Sequence, residues 1–80
     1  MKYYFTYVLQ SRVDRSYYVG WTDDLELRLK KHNAGKVKST ANKKPFEIVY
    51  YEACFDKSAA IKRERSLKTG FGRAYLKRRI

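Results

Sequence analysis

Two side chains that ordinarily seek water fall on the buried arc of a helical stretch. From Leu25 to Asn33, Leu25 and Leu29 mark that arc, and at 100° per residue Arg28 and His32 lie within about 60° of Leu25 on the same side. Lys30 and Lys31 lie largely elsewhere, so the positive charge is not spread evenly round the helix. A guanidinium held on that side directs its donors into the groove below and needs an acceptor there. Ala60, Ile61 and Leu67 mark the apolar arc of a second helix, with Glu64 in its middle and Lys68 one turn on. Lys62, Arg63, Arg65 and Ser66 occupy its other face. Glu64 is the only acidic residue among the last 24, which contain nine Lys and Arg. Such a carboxylate pairs with a cation, Arg28 or Lys68 at i+4, or it holds a divalent ion such as Mg²⁺, whose remaining positions go to water and phosphate oxygens. The pattern leaves both readings open. Tyr7 and Tyr18 are equally two-sided, as core rings or as site hydroxyls; Tyr18 shares a strand face with Ser16 and Gly20, and a strand glycine often marks close approach by a ligand or another backbone.

The elements that must position these groups follow from periodicity and punctuation. Tyr3 to Gln10 carries apolar residues on both alternating faces, which predicts a central strand. The polar Ser11–Ser16 stretch is a hairpin loop, and Tyr17 to Trp21 resumes as an antiparallel partner. Asp23 with Glu26 three residues on forms a capping box that starts the first helix, and Asn33 to Gly35 stops it. Gly35 to Lys44 is a basic loop without a carboxylate, with one helical turn near Ser39. After Pro45, Phe46 to Phe55 reads as a third strand, and Asp56 caps a helix over Lys57–Thr69 that Gly70 ends. A last short helix brings Phe71, Tyr75, Leu76 and Ile80 to the core. No repeat or second domain interrupts residues 1–80, which read as a single domain.

A chain of 80 residues supports one core, and the eight tyrosines must supply much of its buried area. The net charge of +11 points to a polyanionic partner. No run approaches the ~20 apolar residues of a membrane span, and the N-terminus lacks the pattern of a secretory leader, so the expectation is a cytoplasmic protein without a membrane partner. The single cysteine, Cys54, makes neither an internal disulfide nor a Cys-rich zinc site and reads as a buried thiol at a strand end.

Together these residues resemble the GIY-YIG nuclease superfamily, in particular its small single-domain bacterial members, relatives of the N-terminal domain of the excision-repair incision nuclease. Phe5-Thr6-Tyr7 stands at the first tripeptide, Tyr18-Val19-Gly20 at the second, the Thr22–Gly35 stretch at the characteristic helix, and Glu64 at the acidic residue of a later helix. The Gly-Ile of the first tripeptide is replaced, and no asparagine follows Glu64, a place Lys68 is able to take. The resemblance implies an α+β fold, a three-stranded antiparallel sheet flanked by helices. It implies metal-dependent phosphodiester hydrolysis, with Tyr7, Tyr18, Arg28, His32 and Glu64 as the catalytic set and Glu64 the ligand of one Mg²⁺ or Mn²⁺ ion. Tyr18 would orient or deprotonate the attacking water, with Tyr7 and His32 bonding around it. Lys36, Lys38, Lys43 and Lys44 in the loop, with Lys68, Arg73 and Lys77 towards the C-terminus, would grip nucleic acid, DNA ahead of RNA, in processing or repair. Two further classes fit the composition: a non-catalytic DNA- or RNA-binding module, and a basic protein–protein adaptor with an aromatic surface.

Overall fold

The computed structural model describes residues 2–80. Strands β1 (Tyr4–Ser11), β2 (Tyr17–Thr22) and β3 (Phe46–Cys54) form one antiparallel sheet in the order β2-β1-β3. Its helices are α1 (Leu25–Asn33), α2 (Lys57–Leu67) and α3 (Gly70–Lys77), making the α+β architecture expected. β1 is central because both of its faces are apolar, and Thr6, Tyr7, Val8 and Leu9 are all buried. Alternation sends them to opposite sides. Tyr7, Leu9 and Phe46 pack with Leu25 and Leu29 under α1, whereas Val8, Leu67 and Leu76 pack with Val19 and Tyr75 under α2 and α3. Thr6 fastens the second face by donating to the Ala60 carbonyl at 2.9 Å. Among the described residues no helix is long and apolar enough to cross a membrane.

The loop between α1 and β3 is held at both ends. Asn33 brackets Phe46, accepting from its N–H at 2.6 Å and donating to its carbonyl at 3.1 Å, while Ser11 Oγ donates to the Lys43 carbonyl at 2.6 Å. Gly35 enters the loop at φ +73°, a conformation that costs glycine little. The helical turn within it spans Ala41–Lys43, two residues beyond Ser39. Cys54 ends β3 half-buried, its thiol donating to the Asp56 carbonyl at 3.3 Å.

Several local expectations shift. Asp24, not Asp23, caps α1: its Oδ1 accepts from the Leu27 N–H at 3.1 Å. Thr22 Oγ1 accepts from the Asp24 N–H at 3.1 Å, which takes Asp23 into the preceding bend, where it pairs with Lys2 at 3.0 Å. Asp56 does cap α2, accepting from Ser58. Gly70 opens α3 rather than ending α2, because Thr69 is itself a cap and accepts from the Gly72 N–H at 3.2 Å. Phe71 is 91% exposed and joins no core. It lies about 140° round the helix from Leu76, so the turn that buries Leu76 points Phe71 outward. Arg63, on the face of α2 away from Glu64, makes a specific contact. Its guanidinium reaches back to β3 and donates to both Glu52 oxygens at 2.8 and 2.9 Å, with Tyr75 stacked 4.6 Å from its Cζ.

Candidate active site

The site is built outward from Tyr7. Antiparallel register places Tyr7 opposite Gly20, and a Cβ on residue 20 would stand 2.5 Å from the Tyr7 hydroxyl oxygen. The close approach at Gly20 is therefore the Tyr7 ring itself, which lies across the glycine and carries its hydroxyl towards α1. There Arg28 Nε donates to Tyr7 Oη at 3.2 Å, and His32 Nε2 lies 3.3 Å from the same oxygen. On its far side His32 Nδ1 stands 2.7 Å from Thr40 Oγ1, which in turn lies 3.3 Å from the Val37 carbonyl.

That carbonyl sets the direction of the chain. It only accepts, so Thr40 donates to it and receives the Nδ1 hydrogen of His32. Nε2 is then the bare nitrogen and accepts the Tyr7 proton, while Arg28 donates to the Tyr7 oxygen. Arg28, Tyr7, His32, Thr40 and the Val37 carbonyl thus form one polarised line of donors and acceptors. Burial agrees with it. His32 is fully buried among the rings of Tyr18, Phe46 and Tyr7, at centroid distances of 5.0, 5.9 and 6.2 Å. That burial, with the Arg28 charge nearby, pushes its pKa down to about 4, so the ring is neutral at physiological pH. Burial raises Tyr7 above the ordinary tyrosine value despite the opposing Arg28 bond, and its hydroxyl keeps its proton. The bond to Tyr7 in turn raises the pKa of Arg28.

Four of the five expected catalytic residues are thus gathered: Tyr7, Arg28 and His32 by hydrogen bonds and Tyr18 by ring contact with His32. Glu64 stands apart from this line. Its side chain is 19% exposed, and its carboxylate accepts from Lys68 Nζ at 2.9 Å. Arg28 joins none of the five ion pairs found among the described residues, so of the two cations suggested for Glu64 the partner is Lys68. The Glu64 charge is still felt at the Tyr7 hydroxyl, where it is one of the causes of the raised pKa.

The seven cations suggested for nucleic-acid binding are all exposed and fall in two places. Lys36, Lys38, Lys43 and Lys44 lie in the loop after α1, with Lys43 4 Å or less from a carboxylate, 3.5 Å from Asp14. Lys68, Arg73 and Lys77 line a groove of about 730 Å³ between β2 and the C-terminal helices. Spacing in the sequence does not point to Thr40. It sits eight positions after His32 in a loop, outside any helical phase, and the pairing of Ser39 and Thr40 in a stretch of lysines is the only trace of it in the sequence.

A helix-borne arginine and histidine converging on a strand tyrosine, opposite a second strand's Tyr-x-Gly, define a class. The chain belongs to the GIY-YIG catalytic domain family, whose model matches residues 3–78. Among its relatives are UPF0213 proteins: one from Haloquadratum walsbyi is 41% identical, over 84% of this chain and 75% of that protein. One from Lactiplantibacillus plantarum is 46% identical, over 84% of this chain and 67% of that protein. The solution NMR structure of a UPF0213 protein from Bacillus halodurans matches with a TM-score of 0.56 and 32% identity, covering 92% of this chain and 81% of that one.

Proposed function

We propose that this chain is a metal-dependent endonuclease that hydrolyses phosphodiester bonds in nucleic acid, DNA ahead of RNA, and that it serves DNA processing or repair in the cytoplasm as a single-domain protein. The observation that carries the reading is the buried line from Arg28 through Tyr7 and His32 to Thr40, in a chain of net charge +11. Arg28 bonds Tyr7 through Nε alone, so its two terminal nitrogens keep donors for the non-bridging oxygens of a phosphate.

Tyr7 then lies between that phosphate and a neutral imidazole. As water attacks phosphorus, its proton passes to the Tyr7 oxygen while the Tyr7 proton passes to His32 Nε2, and the bond to the leaving oxygen breaks; that oxygen takes a proton from solvent water, and His32 gives its proton back to solvent to restore the neutral ring. A free phenolate is never required, which matters for a hydroxyl whose pKa burial raises. This assigns the proton relay to Tyr7, the hydroxyl bonded to an acceptor, and leaves Tyr18 to orient the water.

Among the described residues no three His, Cys, Asp or Glu side chains cluster as metal ligands. The donor set fits a hard ion of the Mg²⁺ or Mn²⁺ kind held by one carboxylate, since Glu64 has a half-buried carboxylate whose Oε1 takes no bond from Lys68. Glu64 would hold the ion, which when bound neutralises charge on the phosphate and its leaving oxygen.

The experiment is cleavage of labelled DNA and RNA with Mg²⁺, with Mn²⁺ and with EDTA, by the natural chain and by Arg28→Lys. Lysine keeps the charge but loses the planar fork, so cleavage should fall while binding and folding persist; full activity in Arg28→Lys would overturn the phosphate contact. The Lys68–Glu64 pair favours one other reading, a non-catalytic nucleic-acid-binding module in which Glu64 is structural. Metal-dependent cleavage that is absent from a folded, nucleic-acid-binding protein would establish it.

A further inference from the structure

The groove between β2 and the C-terminal helices is apolar at its floor and cationic at its rim. Val19, Leu67 and Leu76 form the floor, and Lys68, Arg73 and Lys77 stand around it. At about 730 Å³ it falls within the roughly 300–1,000 Å³ of small-ligand sites. Tyr17, 54% exposed, and Ile80, 38% exposed, also line it. The groove lies on the α2–α3 side of the sheet, across from the rings packed under α1, and two of its residues also take part in the candidate site. Tyr18 lines it and contacts His32, and Lys68 lines it and bonds Glu64.

We propose that this groove takes an unpaired nucleobase of a bound nucleic acid, its flanking phosphates met by Lys68, Arg73 and Lys77. A flat apolar body carried between anionic groups is what an apolar floor with three cations around it complements, and an exposed tyrosine supplies a stacking surface that serves any base. The ligand class is then nucleic acid with a single-stranded, bulged or extruded nucleotide, and continuous duplex is the poorer ligand. Lys68 serves both the rim of the groove and the ion pair with Glu64. This inference rests on the nucleic-acid reading above.

Fluorescence anisotropy of the full chain in EDTA tests it without calling on cleavage. Three labelled hairpins are compared: one fully paired, one with a single unpaired adenine, and one with an abasic residue at that position. The adenine bulge should bind roughly tenfold more tightly than the other two, the scale of one base stacked on an aromatic ring. The double variant Tyr17→Ala/Ile80→Ser, which leaves the net charge alone, should erase the difference, as should Tyr17→Ala by itself if the double variant fails to fold. Equal affinity for the adenine and abasic bulges would overturn the groove's assignment while leaving the nuclease reading standing. Failure to bind any of the hairpins would overturn both. Anionic phospholipid vesicles provide the other arm: binding to them that Tyr17→Ala/Ile80→Ser abolishes, with hairpin binding untouched, would make the groove a lipid site instead.

Discussion

Acidification should destabilise this protein well above the pH at which its carboxylates protonate. The chain has one histidine, and the unfolded state protonates it near the ordinary value of about 6.5. Folded His32 resists until about 4, because the ring is buried, Arg28 is close, and Nε2 is already an acceptor for Tyr7. Between those two values the unfolded chain holds the extra proton. Stability is therefore complete above the unfolded pKa and drains away as the pH falls towards the folded one. Each full unit of separation is worth about 1.4 kcal/mol, so the loss should be about 2 kcal/mol by pH 5 and about 3 kcal/mol by pH 4. Asp14, Asp23 and Glu52 are also held below their ordinary values, but as carboxylates they begin to withdraw stability only as the pH falls below about 5 and through those ordinary values. The interval from about pH 7 to 5 thus belongs to His32. Urea unfolding across that interval gives the loss, and NMR of the single imidazole gives the folded pKa without an assignment problem. A ring that titrates near 6.5, with stability flat across the interval, would refute the buried neutral histidine and the line of hydrogen bonds built on it.

Thr40→Val should leave the His32 Nδ1 hydrogen without an acceptor in the core, costing about 1–3 kcal/mol and depressing cleavage more than Thr40→Ser, as paired unfolding and kinetic measurements would register. Gly20→Ala puts a methyl 2.5 Å from the Tyr7 hydroxyl oxygen; it should cost on the order of 1–3 kcal/mol and disturb the Arg28 and His32 bonds, visible as a shift of the histidine resonances. Glu52→Gln breaks the forked pair with Arg63, which is about one-third exposed, so thermal unfolding should show a loss of about 1–2 kcal/mol, between the values of surface and buried pairs, with cleavage intact.

How much of this was readable from the sequence depends on the range of the interaction. The two-faced apolar pattern of β1 identifies the central strand, and helical phase alone turns Arg28 and His32 inward, because both signals are carried by neighbouring residues. Single-residue ambiguities are not settled that way. Asp23 and Asp24 are equally good caps on paper, and the Thr22 hydroxyl decides between them by forming the preceding turn. Phe71 looks like a core residue until the cap at Thr69 fixes the phase of α3. The role of Gly20 depends on cross-strand register with Tyr7, and that of Thr40 on a loop returning to α1, neither of which has a local periodicity. Helical phase puts Arg63 on the face of α2 away from Glu64 and says nothing of its partner, Glu52 on the sheet, which is 11 residues away in sequence.

Glu64→Gln bears most directly on the proposed chemistry. Among the described residues its one ion-pair partner is Lys68 at i+4, whose side chain is 52% exposed, so as a structural pair it contributes only about 0.3–0.5 kcal/mol and the variant should fold almost as stably as the natural chain. Removal of the charge without change of size should leave binding to labelled DNA in place and abolish Mg²⁺- or Mn²⁺-dependent cleavage. Cleavage by folded Glu64→Gln at the natural rate, over a wide range of both ions, would contradict the proposed role of Glu64 and with it the metal-dependent mechanism.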